Sequence, residues 1–306
     1  MENVLTKERI GLDRVSPSAL DCYETCPRLF YYQNWLGLKL EDDRLHMDFG
    51  DAIHDAMQGV FLEYDNHFGG AWEAGSFDTV KERFLKKWKL SHVPEASFQK
   101  FMETKAGRES GFTKKEELYG YMRNDGLIML KSYWENKERL LVEHDYDFTE
   151  FEVKLFVDMH NPEDPSDKLP IPLSGRIDAV NRKKTKMVDF KTSKNKYDEV
   201  ETRKKIQGIS YVFGHLMATG DLIGEFDYII LRKGLKSPDR IEVVKLNYDM
   251  ADMVAYYFRV KSILVKIAHR EFDRPISGHQ NFCSCYKYDE ALSVSGIELP
   301  VKEQVM

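Results

Sequence analysis

The sequence has few cysteines and no long apolar run. No segment approaches the roughly 18–20 apolar residues that a membrane span needs, so we expect no membrane association. Residues 1–15 contain no continuous apolar segment, which argues against a secretory signal and favours the cytoplasm. Thiols stay reduced there, so the chain's 4 cysteines are expected to bind metal, to do redox chemistry or to be buried, rather than to form disulfides.

The length and the net charge of the chain limit the number of domains and the kinds of partner only broadly. The 306 residues suffice for one large domain or two small ones, with 42% hydrophobic residues to build a core. The net charge of −6 argues, at face value, against nucleic acid as a partner. Positive charge is nevertheless concentrated between Asn181 and Lys205, where ten Lys or Arg and four Asp or Glu leave a local net charge of +6. Such a stretch is most often a solvated face, so only the residues around it can indicate whether it binds nucleic acid.

The first 145 residues have a mainly helical pattern. Ser16 is a candidate N-cap before Pro17, a residue that suits the first helical turn. A second helix is predicted from about Asp48 to Tyr64, because apolar residues recur there on one stripe. The residues of this stripe are Phe49, Ile53, Met57, Val60, Phe61 and Tyr64.

At about residue 149 the hydrophobic period changes to two. Residues 149–158 predict a strand whose apolar face carries Phe151, Val153, Leu155 and Val157. The remaining elements continue this mixed pattern, which predicts an α/β fold with a mixed central sheet flanked by helices. In order they are a polar loop over 161–170, strands in LSGRIDAV and MVDFKTS, a helix over about 204–219, strands in FDYIILRK and RIEVVKLN, and a helix over about 249–269.

The stretch LSGRIDAVNRKKTKMVDFKTS contains the residues that suggest chemistry. Asp189 and Lys191 are two apart on a predicted strand, so both side chains project from the same face. A hairpin turn centred between Lys183 and Lys184 would bring Asp178 opposite Asp189, with Cβ atoms about 4.5–5.5 Å apart. Two carboxylates so close repel each other unless a cation lies between them, and oxygen ligands suit Mg²⁺ or Mn²⁺. Taken alone, D-x-K is common and more often marks a surface strand of mixed charge.

Two helical features add context. Gln207 and Tyr211 are four apart on the helix that follows the Lys191 strand, so they share a face. His54 lies on the predicted 48–64 helix, four residues after Gly50. A lone helical histidine is usually a polar flank or a core group with a satisfied hydrogen bond, so His54 gains weight only from the other residues.

Five short motifs occur in order along the chain. They are S-x-S-x-L-x-x-Y-x-x-C-P-x-x-F-x-Y at 16–32, G-x-x-x-H at Gly50 and His54, G-x-x-D at Gly175 and Asp178, D-x-K-T at Asp189, Lys191 and Thr192, and Q-x-x-x-Y at Gln207 and Tyr211. Each motif alone is weak. Together, over nearly the whole chain, they resemble the PD-(D/E)XK nucleases of the RecB/AddB type, which include CRISPR-adaptation and phage-encoded RecB-like exonucleases.

The resemblance implies a restriction-endonuclease-like α/β core and a role for each of seven residues. These are Asp178, Asp189, His54 and the main-chain carbonyl of Phe190 as metal ligands, Lys191 with the two acids as the catalytic residues, and Gln207 and Tyr211 as the residues that position DNA. It also implies one nuclease domain over 1–306, in four segments. They are N-terminal helices over 1–64, a helical insertion over 65–148 that helps to form a DNA channel, the catalytic core over 149–270, and a C-terminal cysteine segment and tail over 271–306.

The resemblance therefore favours a Mg²⁺- or Mn²⁺-dependent DNA nuclease, an exonuclease on DNA ends or single strands that uses metal-activated water. One alternative is a catalytically inactive nuclease-like module for DNA binding or assembly, although such modules usually lack an acid or the lysine. Another is a small-molecule metalloenzyme, which leaves the basic stretch unexplained. The chain has no G-x-x-x-x-G-K-[ST] loop, so a helicase or recombination partner would be a separate protein. Polarity of cleavage, biological pathway (DNA recombination, DNA repair, phage replication or CRISPR adaptation) and oligomeric state stay open.

The four cysteines fall in the two windows where many of these nucleases hold a [4Fe–4S] cluster. Cys26 takes the N-terminal place, but Cys283 and Cys285 have one residue between them, and position 291, where the family has a third C-terminal cysteine, is Ala. Cys22 precedes Cys26 by one helical turn and could supply the missing ligand. Two interpretations stay open: a cluster with two cysteines from each end of the chain, or the buried remnant of a lost cluster.

Overall fold

In a computed structural model of the chain, a five-stranded mixed sheet lies between two layers of helices. The structure describes residues 5–38, 44–67, 76–181, 183–234, 237, 239–274 and 283–295, and of 60–67 and 294–295 it describes the backbone alone. The predicted α/β class is confirmed, and the arrangement is consistent with a restriction-endonuclease-like core. In the described part of the chain, no helix combines the length and the apolar character that crossing a membrane requires.

The elements alternate as the sequence pattern predicts, with helices first and a mixture of strands and helices after them. The helices of the first part are α1 (Lys7–Ile10), α2 (Pro17–Thr25), α3 (Pro27–Phe30), α4 (Leu45–His67), α5 (Phe77–Lys87), α6 (Glu95–Met102), α7 (Lys105–Ser110) and α8 (Lys115–His144), with a π-helical turn over Tyr31–Trp35 and a 3-10 turn over Leu90–His92. The second part contains β1 (Phe148–Val157), β2 (His160–Asn161), β3 (Asp164–Lys168), β4 (Leu173–Asn181), β5 (Lys186–Ser193), α9 (Glu199–Lys204), α10 (Ile206–Thr219), β6 (Glu225–Arg232), β7 (Ile241–Asn247), α11 (Met250–Ala268) and α12 (Cys285–Ser295).

The strand order of the central sheet is β1-β4-β5-β6-β7. Neighbouring strands are antiparallel except β5 and β6, which run parallel. Parallel neighbours need a crossover connection, and α9 and α10 provide it. The chain therefore passes from β5 through α9 into α10, and this brings Gln207 of α10 beside Asp189 of β5.

The two helical layers cover opposite faces of the sheet. Helices α4, α5 and α8 pack on one face, and α2, α10 and α11 pack on the other. Successive residues of β6 show this division. Tyr228 packs with the residues of α2, α10 and α11, and Ile229 packs on the opposite face with the residues of α4, α5 and α8. The region predicted as an insertion over 65–148 thus supplies α5 and α8 to one of the two layers. The division of the chain into four segments stays a prediction.

Most predicted helices have the expected positions, with different ends. Ser16 caps α2 as expected, because its hydroxyl accepts the Ala19 N–H at 3.2 Å. The helix predicted over about 204–219 is α10, which begins at Ile206, and Lys205 in extended backbone separates it from the short helix α9. On the predicted stripe of α4, Phe49, Ile53 and Met57 are buried. The side chains of the last three stripe residues, Val60, Phe61 and Tyr64, lie outside the described residues.

The polar segment predicted as a loop over 161–170 contains strand β3 and pairs with β2 as a hairpin, so that prediction is wrong. Side chains bond to nearby backbone at the turn: Asn161 Oδ1 accepts the Glu163 N–H at 3.1 Å, and Asp164 Oδ1 accepts the Ser166 N–H at 3.1 Å. Such local bonds favour a tight turn, which lets a strongly polar segment form a hairpin.

Strand β1 does not keep one apolar face. Val153, Leu155 and Val157 pack in the cluster with α2 and α10, but Phe151 packs on the opposite face of the sheet. The prediction that all four side chains share a face is therefore wrong for Phe151. The physical reason is Glu152, whose left-handed backbone, with φ at 53°, interrupts the alternation of side chains.

Candidate active site

Strands β4 and β5 pair over a short distance and then separate. Their ladder joins Ala179 to Val188 and Val180 to Met187, which is the register that the predicted turn at 183–184 requires. The next residues outward are the two predicted acids, one on each strand. We call this point, where Asp178 and Asp189 follow the ladder, the β4/β5 fork.

The segment before α2 occupies the place beside β4 above the fork. Val15 donates its N–H to the Pro172 carbonyl at 3.0 Å and accepts the Ser174 N–H at 2.8 Å, forming a parallel bridge with Leu173. The start of the N-terminal motif thus lies where β5 would otherwise continue to pair. The gap that results is open to side chains from both helical layers.

The two acids at the fork bond to different partners. Asp178 Oδ2 accepts the Phe190 N–H at 2.8 Å. Asp189 Oδ1 accepts a hydrogen bond from Gln207 Nε2 at 2.9 Å, and Lys191 Nζ lies 2.6 Å from Asp189 Oδ2. The predicted register is correct, but the ladder stops one residue short of an Asp178–Asp189 pair, because Asp178 reaches across to the next backbone amide of β5.

Helix α4 brings His54 to the fork from one face of the sheet. His54 Nδ1 lies 3.8 Å from Asp178 Oδ2. Gly50, one turn earlier, faces the end of β5, where a Cβ in its place would lie 3.6 Å from Thr192 Oγ1. The G-x-x-x-H spacing therefore places Gly50 beside the end of β5 and His54, one turn later, beside Asp178.

Helix α10 approaches from the other face. Gln207 Nε2 donates to the Tyr211 hydroxyl at 3.1 Å as well as to Asp189, so the two side chains form one chain of contacts along the helix. Gly175 on β4 permits the close approach of Tyr211, because a Cβ there would lie 3.1 Å from Tyr211 Cε1. The structure thus brings the predicted side chains of both helices and both strands to the fork.

Burial dominates the electrostatics of the two acids. It raises the pKa of Asp178 and of Asp189 to about 6, although nearby Lys191 acts in the opposite direction. Burial also acts to lower the pKa of Lys191, but the Asp189 carboxylate outweighs it and raises that pKa to about 12. Burial lowers the pKa of His54, so its imidazole is neutral at neutral pH and can offer a lone pair.

Glu152 is a site residue that the sequence analysis missed. Its carboxylate accepts a hydrogen bond from Gln58 Nε2 at 2.6 Å and lies 2.5 Å from Arg176 Nε, and its charge helps to raise the pKa of Asp178. The left-handed backbone at Glu152 is a strained conformation of the kind that clusters at functional sites. The feature that could have identified Glu152 is its position opposite Asp178 on the neighbouring strand. That position becomes visible only when β1 is aligned with β4.

The donor atoms at the fork suit a hard divalent cation. The site combines two carboxylates, of which Asp189 is buried and Asp178 is partly exposed, with the Lys191 ammonium group 2.6 Å from Asp189 and the neutral His54 imidazole 3.8 Å from Asp178. The donor atoms of His54, Asp178 and Asp189 are spread more widely than 4.8 Å, because Asp178 bonds to the Phe190 N–H and Asp189 bonds to Lys191 and Gln207. The chemistry of this set fits Mg²⁺ or Mn²⁺. The Phe190 carbonyl stays a predicted ligand.

A cleft of about 550 Å³ begins at Gln207 and Tyr211 and runs over β4 and β1. Lys154 and Arg176 stand directly opposite each other on the two strands, and Phe156, 66% exposed, stands opposite Ser174. Its described lining contains three cations and no carboxylate. The residues that line it are Arg14, Ser16, Pro17, Ser18, Lys154, Leu155, Phe156, Ser174, Gly175, Arg176, Gln207 and Tyr211.

Of the basic stretch between Asn181 and Lys205, no described cation lines this cleft. Lys184 pairs with Glu150 at 3.0 Å, Lys186 with Asp227 at 3.5 Å, and Arg203 with Asp252 at 2.8 Å. Of its described cations, Lys191 is the one placed at the fork. The charge of the stretch is therefore largely compensated within the fold, and the positive charge of the cleft comes from Arg14, from Lys154 on β1 and from Arg176 on β4, whose charge Glu152 offsets in part.

Three of the four cysteines meet at a second place, away from the fork. The donor sulfurs of Cys26, Cys283 and Cys285 all lie within 4.8 Å of one another, and in the part of the chain that the structure describes this is the only such group of metal-ligating side chains. Cys22, predicted as a fourth member, is half-buried and lies outside that group, with its sulfur 4.0 Å from Gln33 Oε1. The cysteines thus form a group of three with one neighbour.

Comparison with known proteins identifies similar structures and the family to which the chain belongs. Among solved structures the chain is similar to an alkaline exonuclease from Laribacter hongkongensis, at 16% identity and a TM-score of 0.29, with 66% of this chain and 88% of that one covered. The same exonuclease in complex with dAMP is similar at 13% identity and a TM-score of 0.25, with 67% and 90% covered. Comparison with curated proteins gives no match. Residues 14–284 match the PD-(D/E)XK nuclease superfamily, a stretch that contains the fork and both helices around it, and the chain belongs to that superfamily.

Proposed function

We propose that the protein is a Mg²⁺- or Mn²⁺-dependent deoxyribonuclease of the RecB/AddB exonuclease branch, acting on DNA ends or single strands. The observation that carries the proposal is the convergence at one fork of two acids, Asp178 and the buried Asp189, with Lys191 at 2.6 Å from Asp189 and His54 at 3.8 Å from Asp178. An inactive relative would be expected to lack one of these groups, and all four are in place.

The charge states of the residues at the fork indicate a different role for Lys191 than for the three proposed metal ligands. Lys191 keeps its proton at neutral pH, since Asp189 raises its pKa, so it acts as a cation beside the phosphate and not as a general base. His54, Asp178 and Asp189 offer the lone pairs that would hold a divalent cation. When bound there, such a cation would supply an activated water and would neutralise charge that develops on the phosphate.

Gln207 fixes the orientation of Asp189. Its amide nitrogen donates both to Asp189 Oδ1 and to the Tyr211 hydroxyl, which faces the cleft. The same pair therefore lies between the acid and the route that a strand would take. This placement supports the role of Gln207 and Tyr211 in positioning DNA.

The cleft supports nucleic acid as the substrate. Like charges that stand directly opposite on neighbouring strands repel each other, and Lys154 opposite Arg176 is such a pair. Glu152 offsets part of the charge of Arg176, and an anion between the two side chains would offset the rest. A phosphodiester backbone that passes over β1 and β4 towards Asp178 supplies anions at this place.

Phe156 favours a single strand over a duplex in the cleft. It lies on the same face of β1 as Lys154, two residues away, and most of its ring is exposed. Exposed aromatic rings beside cations bind the unpaired bases of single strands by stacking, whereas the bases of a duplex are not available. We therefore expect a single strand to reach the fork by this route.

The test uses end-labelled linear and circular DNA, single- and double-stranded, with Mg²⁺ or Mn²⁺. An exonuclease should shorten linear substrates from their ends and leave covalently closed circles intact. Asp189→Ala and Lys191→Ala should abolish product formation. Asp227→Asn is the matched control, since Asp227 is also buried on a strand but bonds to Tyr146 at 2.7 Å and should affect stability alone. Activity that persists undiminished in the Asp189 and Lys191 variants would refute the assignment.

A further inference from the structure

The three-cysteine group lies where the two ends of the described chain meet. Cys26 caps the N-terminus of α3, Cys285 is the first residue of α12, and both side chains are buried. Backbone N–H groups point at two of the sulfurs, from Leu29 to Cys26 at 3.4 Å and from Cys285 to Cys283 at 3.5 Å. Such N–H groups stabilise a thiolate, which is the form of cysteine that binds metal.

Contacts between α12 and the N-terminal helical region hold the three cysteines close together. The ring of Tyr288 on α12 stacks on Tyr32 with centroids 5.2 Å apart, and its hydroxyl accepts a hydrogen bond from Gln33 Nε2 at 3.0 Å. Asp289 on α12 bonds to Tyr32 and to Arg274. The sulfurs are therefore placed by contacts on either side of them, and Arg274 contributes positive charge that favours the thiolate form of Cys283.

The group does not fit a [4Fe–4S] cluster as it stands. Such a cluster takes four thiolates, and each thiolate binds a different iron at a corner of the cluster. Its ligand sulfurs therefore lie farther apart than sulfurs that share one ion. Here three sulfurs lie within 4.8 Å of one another and the fourth cysteine is outside the group. Around a tetrahedral zinc ion with Zn–S bonds of about 2.3 Å, sulfurs are about 3.8 Å apart.

Cys22 is the neighbour that can complete a tetrahedral site. The Cys26 N–H bonds to the Cys22 carbonyl at 2.8 Å, so the two residues are one helical turn apart, and their three-residue spacing is usual for pairs of zinc ligands. Its sulfur has only weak side-chain contacts, with Gln33 Oε1 at 4.0 Å and with Asn34, which a rotation towards Cys26 and Cys283 would replace with a metal–sulfur bond.

We propose that Cys26, Cys283 and Cys285, with Cys22 as fourth ligand, hold a single tetrahedral Zn²⁺ that fastens α12 to the N-terminal helices. The site is independent of the proposed nuclease chemistry. Zinc has no redox role here, and its function is to hold the end of the chain in place. Binding releases the protons of those cysteines that are thiols and replaces them with metal–sulfur bonds.

The test is metal analysis of the full-length protein purified without oxygen. We expect one zinc and no iron per chain, and a colourless solution. Replacement of zinc by Co²⁺ should give the intense visible bands of tetrahedral cobalt thiolate. Cys26→Ser and Cys285→Ser should lose the zinc, and Cys22→Ser should lower the affinity for Zn²⁺ by at least about tenfold. Ser284→Ala, between two ligands, is the matched control and should keep it.

His54→Ala separates this site from the fork, since it should keep the zinc whether or not the nuclease assignment holds. Hydrogen exchange of the wild-type protein removes the dependence on variants that fold poorly: chelation should increase exchange within α12 and leave α11 unchanged. A brown protein with stoichiometric iron would overturn the proposal in favour of a cluster. Metal-free protein that binds neither ion, with thiols that react freely, would overturn it in favour of a remnant. An affinity unchanged in Cys22→Ser would exclude Cys22 as the fourth ligand.

Discussion

The substitution Asp178→Asn should make the metal-free protein more stable at neutral pH while abolishing its activity. Burial raises the pKa of Asp178 to about 6, so its charged form is disfavoured in the folded protein. Asparagine removes that charge and keeps an oxygen that can accept the Phe190 N–H, which bonds to the carboxylate at 2.8 Å. The variant therefore loses the cost of a buried charge and keeps the local hydrogen bond.

The sign and size of the effect follow from the pKa difference. The folded-state pKa lies above the usual value of 3.8, so Asp178 contributes stability at low pH that is lost as pH rises through about 6. At pH 5, about one unit below the folded-state pKa, the contribution is about 1.4 kcal/mol, and at pH 8 it is gone. The free energy of unfolding of the variant relative to wild type should therefore increase by about 1.4 kcal/mol between pH 5 and pH 8.

Urea unfolding in EDTA at several pH values measures this difference, and nuclease assays on the same samples measure activity. Addition of Mg²⁺ should stabilise the wild type and leave the variant unchanged, because the variant lacks one of the proposed ligands. Asp227→Asn provides the contrast, since Asp227 bonds to Tyr146 and pairs with Lys186, so its loss should destabilise the fold. A difference between Asp178→Asn and wild type that stays flat or falls with rising pH would refute the reasoning.

Three further predictions concern the cleft. Phe156→Ala should raise KM for single-stranded DNA about tenfold and leave kcat unchanged in steady-state kinetics. Phe258→Ala, which removes another exposed phenylalanine on α11, away from the cleft, should change neither. Lys154→Ala should reduce the slope of log affinity against log salt by about 0.7 in filter binding, and an unchanged slope would remove Lys154 from the phosphate path. Gly175→Ala should lower kcat with folding intact, because the added methyl group displaces the Tyr211 ring that lies 3.1 Å from it; wild-type kcat would contradict this contact.

The parts of the site that depend on local sequence could be predicted. The β4/β5 register follows from one turn centre, and the pairing of Ala179 with Val188 agrees with it. The positions of Gln207 and Tyr211 follow from helical spacing, and their hydrogen bond agrees with that. These features involve residues near one another in sequence or motifs whose order is informative, so the pattern alone is sufficient.

The parts that depend on distant packing could not be predicted. Glu152 enters the site because β1 pairs with β4 and because its backbone is left-handed, and neither property has a signature in the alternating pattern of β1. The basic stretch has the right charge for DNA, but its partners, such as Glu150 and Asp252, are supplied by other elements. Charge density in a sequence does not reveal how much of that charge the fold neutralises.

Val15 has a consequence for how the chain can be shortened. Its bridge to Leu173 covers the exposed edge of β4 above the fork, where Ser174 N–H and the Pro172 carbonyl would otherwise have no backbone partner. A truncated chain that begins after this residue would present a bare strand edge, which is a template for another strand to add to. Deletions from this end should therefore produce self-association before they report on catalysis, and the edge of β4 is the surface through which the truncated molecules would join.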